Sequence, residues 1–280
     1  MTVLVAHPQQ APVVRAVADA LPLAAICNPW RTRFGDLPVP VHSDLRSLLA
    51  EHEPEAVIVL RPYSGLESDL VLCEERQIRV LCAGPVALPP SPLRQWGGQS
   101  RHTPVITQAL AQSRQPAFGQ PVYLRRVAGG GGALLQSWWS ACQLLDEAQA
   151  LLGAPPIWVQ LAAVRAAAKH HLVLTAAFAN GANAHLVVSP YYFSPSTDLT
   201  LLGSGGLLFA DTATNTPVAV HAGGSRFYQP ASLYPEPAWI GAFLTGQDPP
   251  VTPSDAALHH RLFAAIRQAL RCGLPVPVLP

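Results

Sequence analysis

Few residues in this chain can move a proton, hold an anion or bind a metal, and their spacing narrows the chemistry. Seventeen arginines stand against a single lysine, Lys169. Any reaction that needs an ammonium group must use Lys169 or do without one. The ten histidines include two adjacent pairs, His170-His171 and His259-His260, and the neighbours His185 and His221. Adjacent histidines point to opposite faces of a strand, or about 100° apart on a helix, so they seldom chelate one ion. No carboxylate or cysteine stands at ligand spacing beside these histidines, and no metal site is expected. The sequence has no Gly-x-Ser-x-Gly elbow for a serine nucleophile. The Gly129–Gly132 run lacks the following Lys-Ser/Thr of a phosphate loop and reads as a tight strand-to-helix join. Five cysteines without a CxxC pair read as reduced, mostly buried thiols of a cytoplasmic protein.

The elements that must position these groups come from hydrophobic patterning. The chain has 280 residues, 49% hydrophobic and 12% charged. The charged share is about half the usual ~25%, which excludes a disordered or acidic-tail protein. A net charge of +1 with no run of basic residues leaves no footprint for nucleic acid or an anionic membrane. No apolar run approaches the roughly 20 residues that span a bilayer, and MTVLVAHPQQ does not read as a signal peptide. The Lys-poor, Ala-, Pro- and Arg-rich composition suggests a GC-rich bacterial coding sequence.

In the first third, apolar runs at Thr2–Ala6, Leu23–Cys27, Ala56–Leu60 and Ile78–Cys82 alternate with helical spacing at Pro12–Leu21, Leu45–Glu51 and Leu66–Arg76. Apolar strands alternating with amphipathic helices predict an α/β Rossmann-like domain with a parallel sheet, placed at residues 1–115. A connecting region at Pro85–Gln120 contains a helix near Pro104–Ser113. Residues 116–280 predict an α+β domain with a large, mostly antiparallel sheet: a strand at Pro121–Ala128, a long helix from Leu134 to Leu152, then strands from Ile157 to His221. An Asn180-Gly181 hairpin turn lies among these strands, and two helices end the chain.

Several stretches carry a resemblance across nearly the whole chain: Val39–Pro62 before and through the fourth strand, Gly130–Gly153 as a glycine-led helix, and Phe178–Ser189 as a hairpin. Gly203–Leu208 and Phe243–Ala256 complete the set. In order and spacing these resemble the glucose–fructose oxidoreductase, inositol dehydrogenase and rhizopine-catabolism family. That resemblance implies a Rossmann domain, an antiparallel-sheet domain and NAD(P)-dependent chemistry.

Carried over residue by residue, the resemblance implies a cofactor loop at Ala6, Pro8 and Ala11, where the family has glycines. Asn28 stands at the position of the ribose-binding acid, with Arg31 and Arg33 after it as 2′-phosphate contacts or solvated loop residues. The family's Glu-Lys-Pro corresponds to Ala83-Gly84-Pro85. Its catalytic histidine corresponds to Gln143, three residues before the retained Asp146. Tyr63 and Trp138 are expected to line a small-ligand cleft. Four altered elements together predict a degenerate family member without NAD(P), acting as a ligand-binding, scaffold or partner subunit. The alternative is an atypical NAD(P)-dependent oxidoreductase acting on a sugar-like or other small carbonyl or hydroxyl substrate. Apolar residues on both alternating sets of His171–Ala179 predict a homodimer, or a heterodimer with a relative, through the second domain's sheet.

Overall fold

The computed structural model describes residues 1–35, 37, 39–96, 98–129, 133–166, 169–190, 197–211, 216–221, 224–227, 236–247 and 253–278. The expected site residues lie inside these ranges, whereas Gly130–Gly132 lie outside them. The chain divides into two compact units, Met1–Gln99 with Tyr234–His260, and Ser100–Leu233 with Arg261–Pro280. A cut in chain order at residue 115 does not coincide with this division, because a late segment returns to the first unit.

The first unit is a six-stranded parallel sheet in the order β3-β2-β1-β4-β5-β6. Its strands are β1 (Thr2–Val5), β2 (Leu23–Cys27), β3 (Val41–His42), β4 (Ala56–Val59), β5 (Arg79–Cys82) and β6 (Arg94–Trp96). All four residues of β1 and of β4 are buried, as central parallel strands covered on both faces require. The covering helices are α1 (Ala11–Ala20), α2 (Leu45–Glu51) and α3 (Leu66–Glu75). Asp44 caps α2 by accepting the Ser47 N–H at 2.7 Å. Gly65, at φ 91°, begins α3 in a conformation that a side chain would strain. Two short strands, β3 and β6, were not legible in the sequence, since two or three residues carry no alternation. A late helix, α6 (Glu236–Leu244), packs on α1.

The second unit is a nine-stranded sheet in the order β14-β13-β12-β11-β7-β10-β9-β8-β15. Its strands are β7 (Pro121–Gly129), β8 (Pro156–Ala166), β9 (Lys169–Phe178), β10 (Asn183–Ser189), β11 (Thr197–Gly203), β12 (Gly206–Asp211), β13 (Thr216–His221), β14 (Gly224–Phe227) and β15 (Val276–Pro277). Every pairing is antiparallel except β7 with β10. Helix α5 (Leu134–Leu152) lies across β7, β9 and β10, and α4 (Pro104–Ser113) packs on α5. The last helix, α7 (Pro253–Cys272), contains the division between the units. No helix among the described residues is long and apolar enough to cross a membrane.

Candidate functional site

In the first unit, the strand order turns back at β1: β2 lies on one side of it and β4 on the other. In open parallel sheets ligands settle at such a switch point, outside the carboxyl ends of the strands. The residues leaving β1, β2 and β4 are therefore the ones to inspect.

After β1 the chain makes a 3-10 turn at Pro8–Gln10 before α1. Pro8 sits at the start of that turn, where its missing N–H costs nothing. The His7 N–H donates to the Gln10 side-chain oxygen at 3.1 Å, and the Gln9 N–H donates to His7 Nδ1 at 3.1 Å. The Gln10 N–H donates to the His7 carbonyl at 2.7 Å. The Ala11 N–H donates to the Pro8 carbonyl. The loop's amides are thus engaged internally, and Ala6 is fully buried in the sheet. Side chains supply the remaining polarity. Gln10 Nε2 donates across to the Leu60 carbonyl beyond β4, and Arg61 donates to Gln9 Oε1 at 2.8 Å. Burial lowers the Arg61 guanidinium from its ordinary value.

Aromatic rings cover the same edge. Trp30 meets His7 edge-on at 5.0 Å and Tyr63 edge-on at 5.9 Å between ring centroids. Tyr63 is buried, and its hydroxyl donates to Asp69 at 2.7 Å. Burial and that hydrogen bond hold its pKa far above the usual phenol value, so it remains a donor. Burial also pushes the Cys27 and Cys82 thiols up to about 12, which leaves no thiolate here for nucleophilic work.

Asn28 is buried at the end of β2 and donates its side-chain N–H to the Thr32 carbonyl at 2.5 Å. Its Oδ1 is buried without a hydrogen-bond partner. Arg31 follows in the left-handed region, at φ 54°, and both Arg31 and Arg33 are exposed. At the ends of β5 and β6 a cleft is lined by Gly84, Pro85, Arg94, Trp96, His259 and His260. Trp96 donates to the Ala83 carbonyl at 3.3 Å, and the His259 ring meets Trp96 edge-on with centroids 3.6 Å apart.

The remaining expected residues lie in the second unit. Asp146 on α5 is fully buried and held at two points by Arg101 of the preceding 3-10 turn (Gln99–His102), with Nε to Oδ2 at 2.8 Å and Nη2 to Oδ1. It therefore stands as half of an ion pair instead of an available acid. His102 adjoins that pair: burial and Arg101 lower its pKa, while Asp146 raises it less. Gln143 is half-buried one turn away. Trp138, expected at a ligand cleft, packs on Phe263 with ring centroids 3.8 Å apart. Lys169 begins β9 at an exposed position. Sequence reasoning missed Gln9, Gln10, Trp30, Arg61, Arg101 and His102. Arg61 had a signal, since it directly follows the apolar strand Ala56–Leu60 and so leaves a carboxyl end.

These features define a two-unit fold with a parallel, Rossmann-like sheet in one unit and a mostly antiparallel sheet in the other. The chain resembles the glucose–fructose oxidoreductase, inositol dehydrogenase and rhizopine-catabolism type throughout that fold. No family model matches the sequence, and no curated protein matches it. Among solved structures, a candidate oxidoreductase from Thermotoga maritima superposes with a TM-score of 0.76 at 12% identity, covering 99% of this chain and 100% of the other. An aldose–aldose oxidoreductase from Caulobacter crescentus, complexed with glycerol, gives 0.73 at 17%, covering 99% of each chain. An oxidoreductase from Agrobacterium radiobacter, in complex with NAD+, L-tartaric acid and magnesium, gives 0.72 at 15%, covering 99% and 98%.

These likenesses correct two expectations: that the chain lacks a dinucleotide, and that it is a non-catalytic family member. Full-length relatives in fold are oxidoreductases, and one of them holds NAD+. The structure keeps the strand order that makes a switch point, with Gln9, Gln10 and Arg61 hydrogen-bonded beside it.

Proposed function

We propose that this chain is an atypical NAD(P)-dependent oxidoreductase acting on a sugar-like hydroxyl or carbonyl substrate. The observation that carries the proposal is the switch-point edge of the first unit, with Arg61, Gln9 and Asn28 gathered on a fold that an NAD+-bound oxidoreductase and an aldose oxidoreductase share. In this reading Arg61 supplies the positive charge for the pyrophosphate, with the Gln9 amide beside it. The unpartnered Asn28 Oδ1 accepts from a ribose hydroxyl. The nicotinamide, when bound, supplies hydride chemistry. Buried free thiols favour the cytoplasm as the working compartment.

The test is energy transfer from tryptophan to NADH and NADPH on titration, with a turnover screen across aldoses, polyols and nucleotide-linked sugars. Saturable binding and turnover of one substrate class are expected. Arg61→Gln should weaken dinucleotide binding by about 10- to 100-fold, the scale of a charge-assisted hydrogen bond. The absence of both dinucleotide binding at millimolar concentration and turnover would sink the proposal.

A further inference from the structure

We propose that the β3–α2 corner of the first unit is a binding site for a divalent transition cation of the zinc class, with His42, Glu51 and His52 as ligands. The proposed ligands are different residues from the proposed dinucleotide contacts, and the proposal does not depend on that function. One ligand atom from each of the three residues lies within 4.8 Å of the other two. His42 Nδ1 and a Glu51 carboxylate oxygen are 3.9 Å apart, too far for a hydrogen bond. The His42 and His52 rings stand perpendicular, with centroids 5.3 Å apart. In a tetrahedral zinc site with bonds of about 2.0–2.2 Å, neighbouring ligand atoms lie roughly 3.3–3.5 Å apart. The observed set needs only small side-chain movements to close on an ion.

The anchoring supports such closure. His42 lies on β3, and its carbonyl accepts the Asn28 N–H at 2.8 Å. His52 ends α2, with its N–H donating to the Leu48 carbonyl at 2.9 Å. Glu51 is 62% exposed, so its carboxylate is free to swing inward. Two imidazoles are thus fixed by backbone on separate elements, and the third ligand is adjustable. A second observation concerns His42 itself. Its side chain is 15% exposed, and its Nε2 is buried without a hydrogen-bond partner. The nitrogen that faces Glu51 is Nδ1, so the ring is held between a carboxylate and a second imidazole on its Nδ1 side. Asp44, close enough for His42 to influence its carboxyl, adds negative potential. Two imidazoles and one carboxylate suit zinc and its neighbours in the divalent series, whereas calcium and magnesium prefer all-oxygen sets.

The test uses the full chain, stripped with chelator and dialysed. Calorimetric titration with Zn2+ should show one high-affinity ion per chain, and Co2+ should produce the visible absorption of a tetrahedral site. His42→Ala and His52→Ala should each weaken Zn2+ binding by about tenfold or more, and Glu51→Gln, at an exposed position, should weaken it without altering the fold. Zn2+ should raise the melting temperature of the parent chain and of a His170→Ala/His171→Ala control, but not that of His42→Gln. No saturable binding, or binding retained in the His42→Ala/His52→Ala double variant, would overturn the proposal.

Discussion

His7 shows how much one side chain decides at this edge. Its Nδ1 accepts the Gln9 N–H, which only the neutral imidazole can do. Burial and the Arg61 charge both lower its pKa. A histidine whose folded pKa is depressed leaves stability unchanged above its unfolded value. Stability is lost as pH falls from about 6.5 toward the folded value, because the unfolded chain takes up the proton first. His102 is shifted in the same direction and contributes likewise. Melting temperature should therefore fall between about pH 6.5 and 5, and His7→Asn, which keeps an N-capping oxygen, should reduce the slope without abolishing it. Asp146 yields a different prediction. Breaking its buried pair by Arg101→Leu strands a charge and should cost about 3–5 kcal/mol, a loss on the order of 10 °C in melting temperature for a chain of this size. Dinucleotide affinity should be retained in that variant, since the proposed contacts lie on other residues. Calorimetry and NADH titration on one preparation check both.

At the scale of elements, the glycines of the turn between β11 and β12 are explained by a close crossing. The Ser204 N–H donates to the Gln120 carbonyl at 2.9 Å, and the Gly205 N–H donates to the Phe118 carbonyl at 3.0 Å. A Cβ on Gly203 would overlap the Phe118 carbonyl and lie 2.6 Å from its ring carbons. Gly203→Ala should thus destabilise the second unit by about 1–3 kcal/mol through overpacking, read as a lower denaturant midpoint. Gly153→Ala meets no neighbouring atom and is strained only by its left-handed φ of 70°; its cost should be about 1 kcal/mol. Helix α5 has the opposite role and closes over buried charge. Arg126 on β7 donates to Glu147 at 2.7 Å beneath it. Burial still raises the Glu147 pKa, against the lowering by Arg126. This is a charge pair that packing tolerates.

For the whole molecule, the outer face of the nine-stranded sheet is the feature with the largest consequence. Leu172, Leu174, Ala176 and Phe178 are buried, while Val173, Thr175 and Ala177 between them are half-exposed. Val164 and Phe209, on strands to either side, are 60% and 47% exposed. We propose that this face is covered by a second copy of the chain. Sedimentation at micromolar concentration should show a dimer, and Phe209→Asp should shift it to monomer. A monomeric parent would exclude the proposal.

Residue pattern alone determined the class of each half. The apolar runs Ala56–Leu60 and Ile78–Cys82 read as strands covered on both faces, and the period-two runs of 171–189 as strands of an antiparallel sheet, because side-chain periodicity follows from local backbone geometry. The helix Leu134–Leu152 was bounded by its Gly153 and Pro155 signals for the same reason. The candidate site was not legible in this way. Arg61 meets Gln9, Arg101 meets Asp146, and His42 meets Glu51 and His52 across chain separations that no local period encodes. Reading the site by motif positions selected Ala6, Pro8 and Ala11, whose backbone turns inward, and passed over the side chains that the sheet's switch point brings together. Strand order decided that, and strand order arises from packing of the whole sheet.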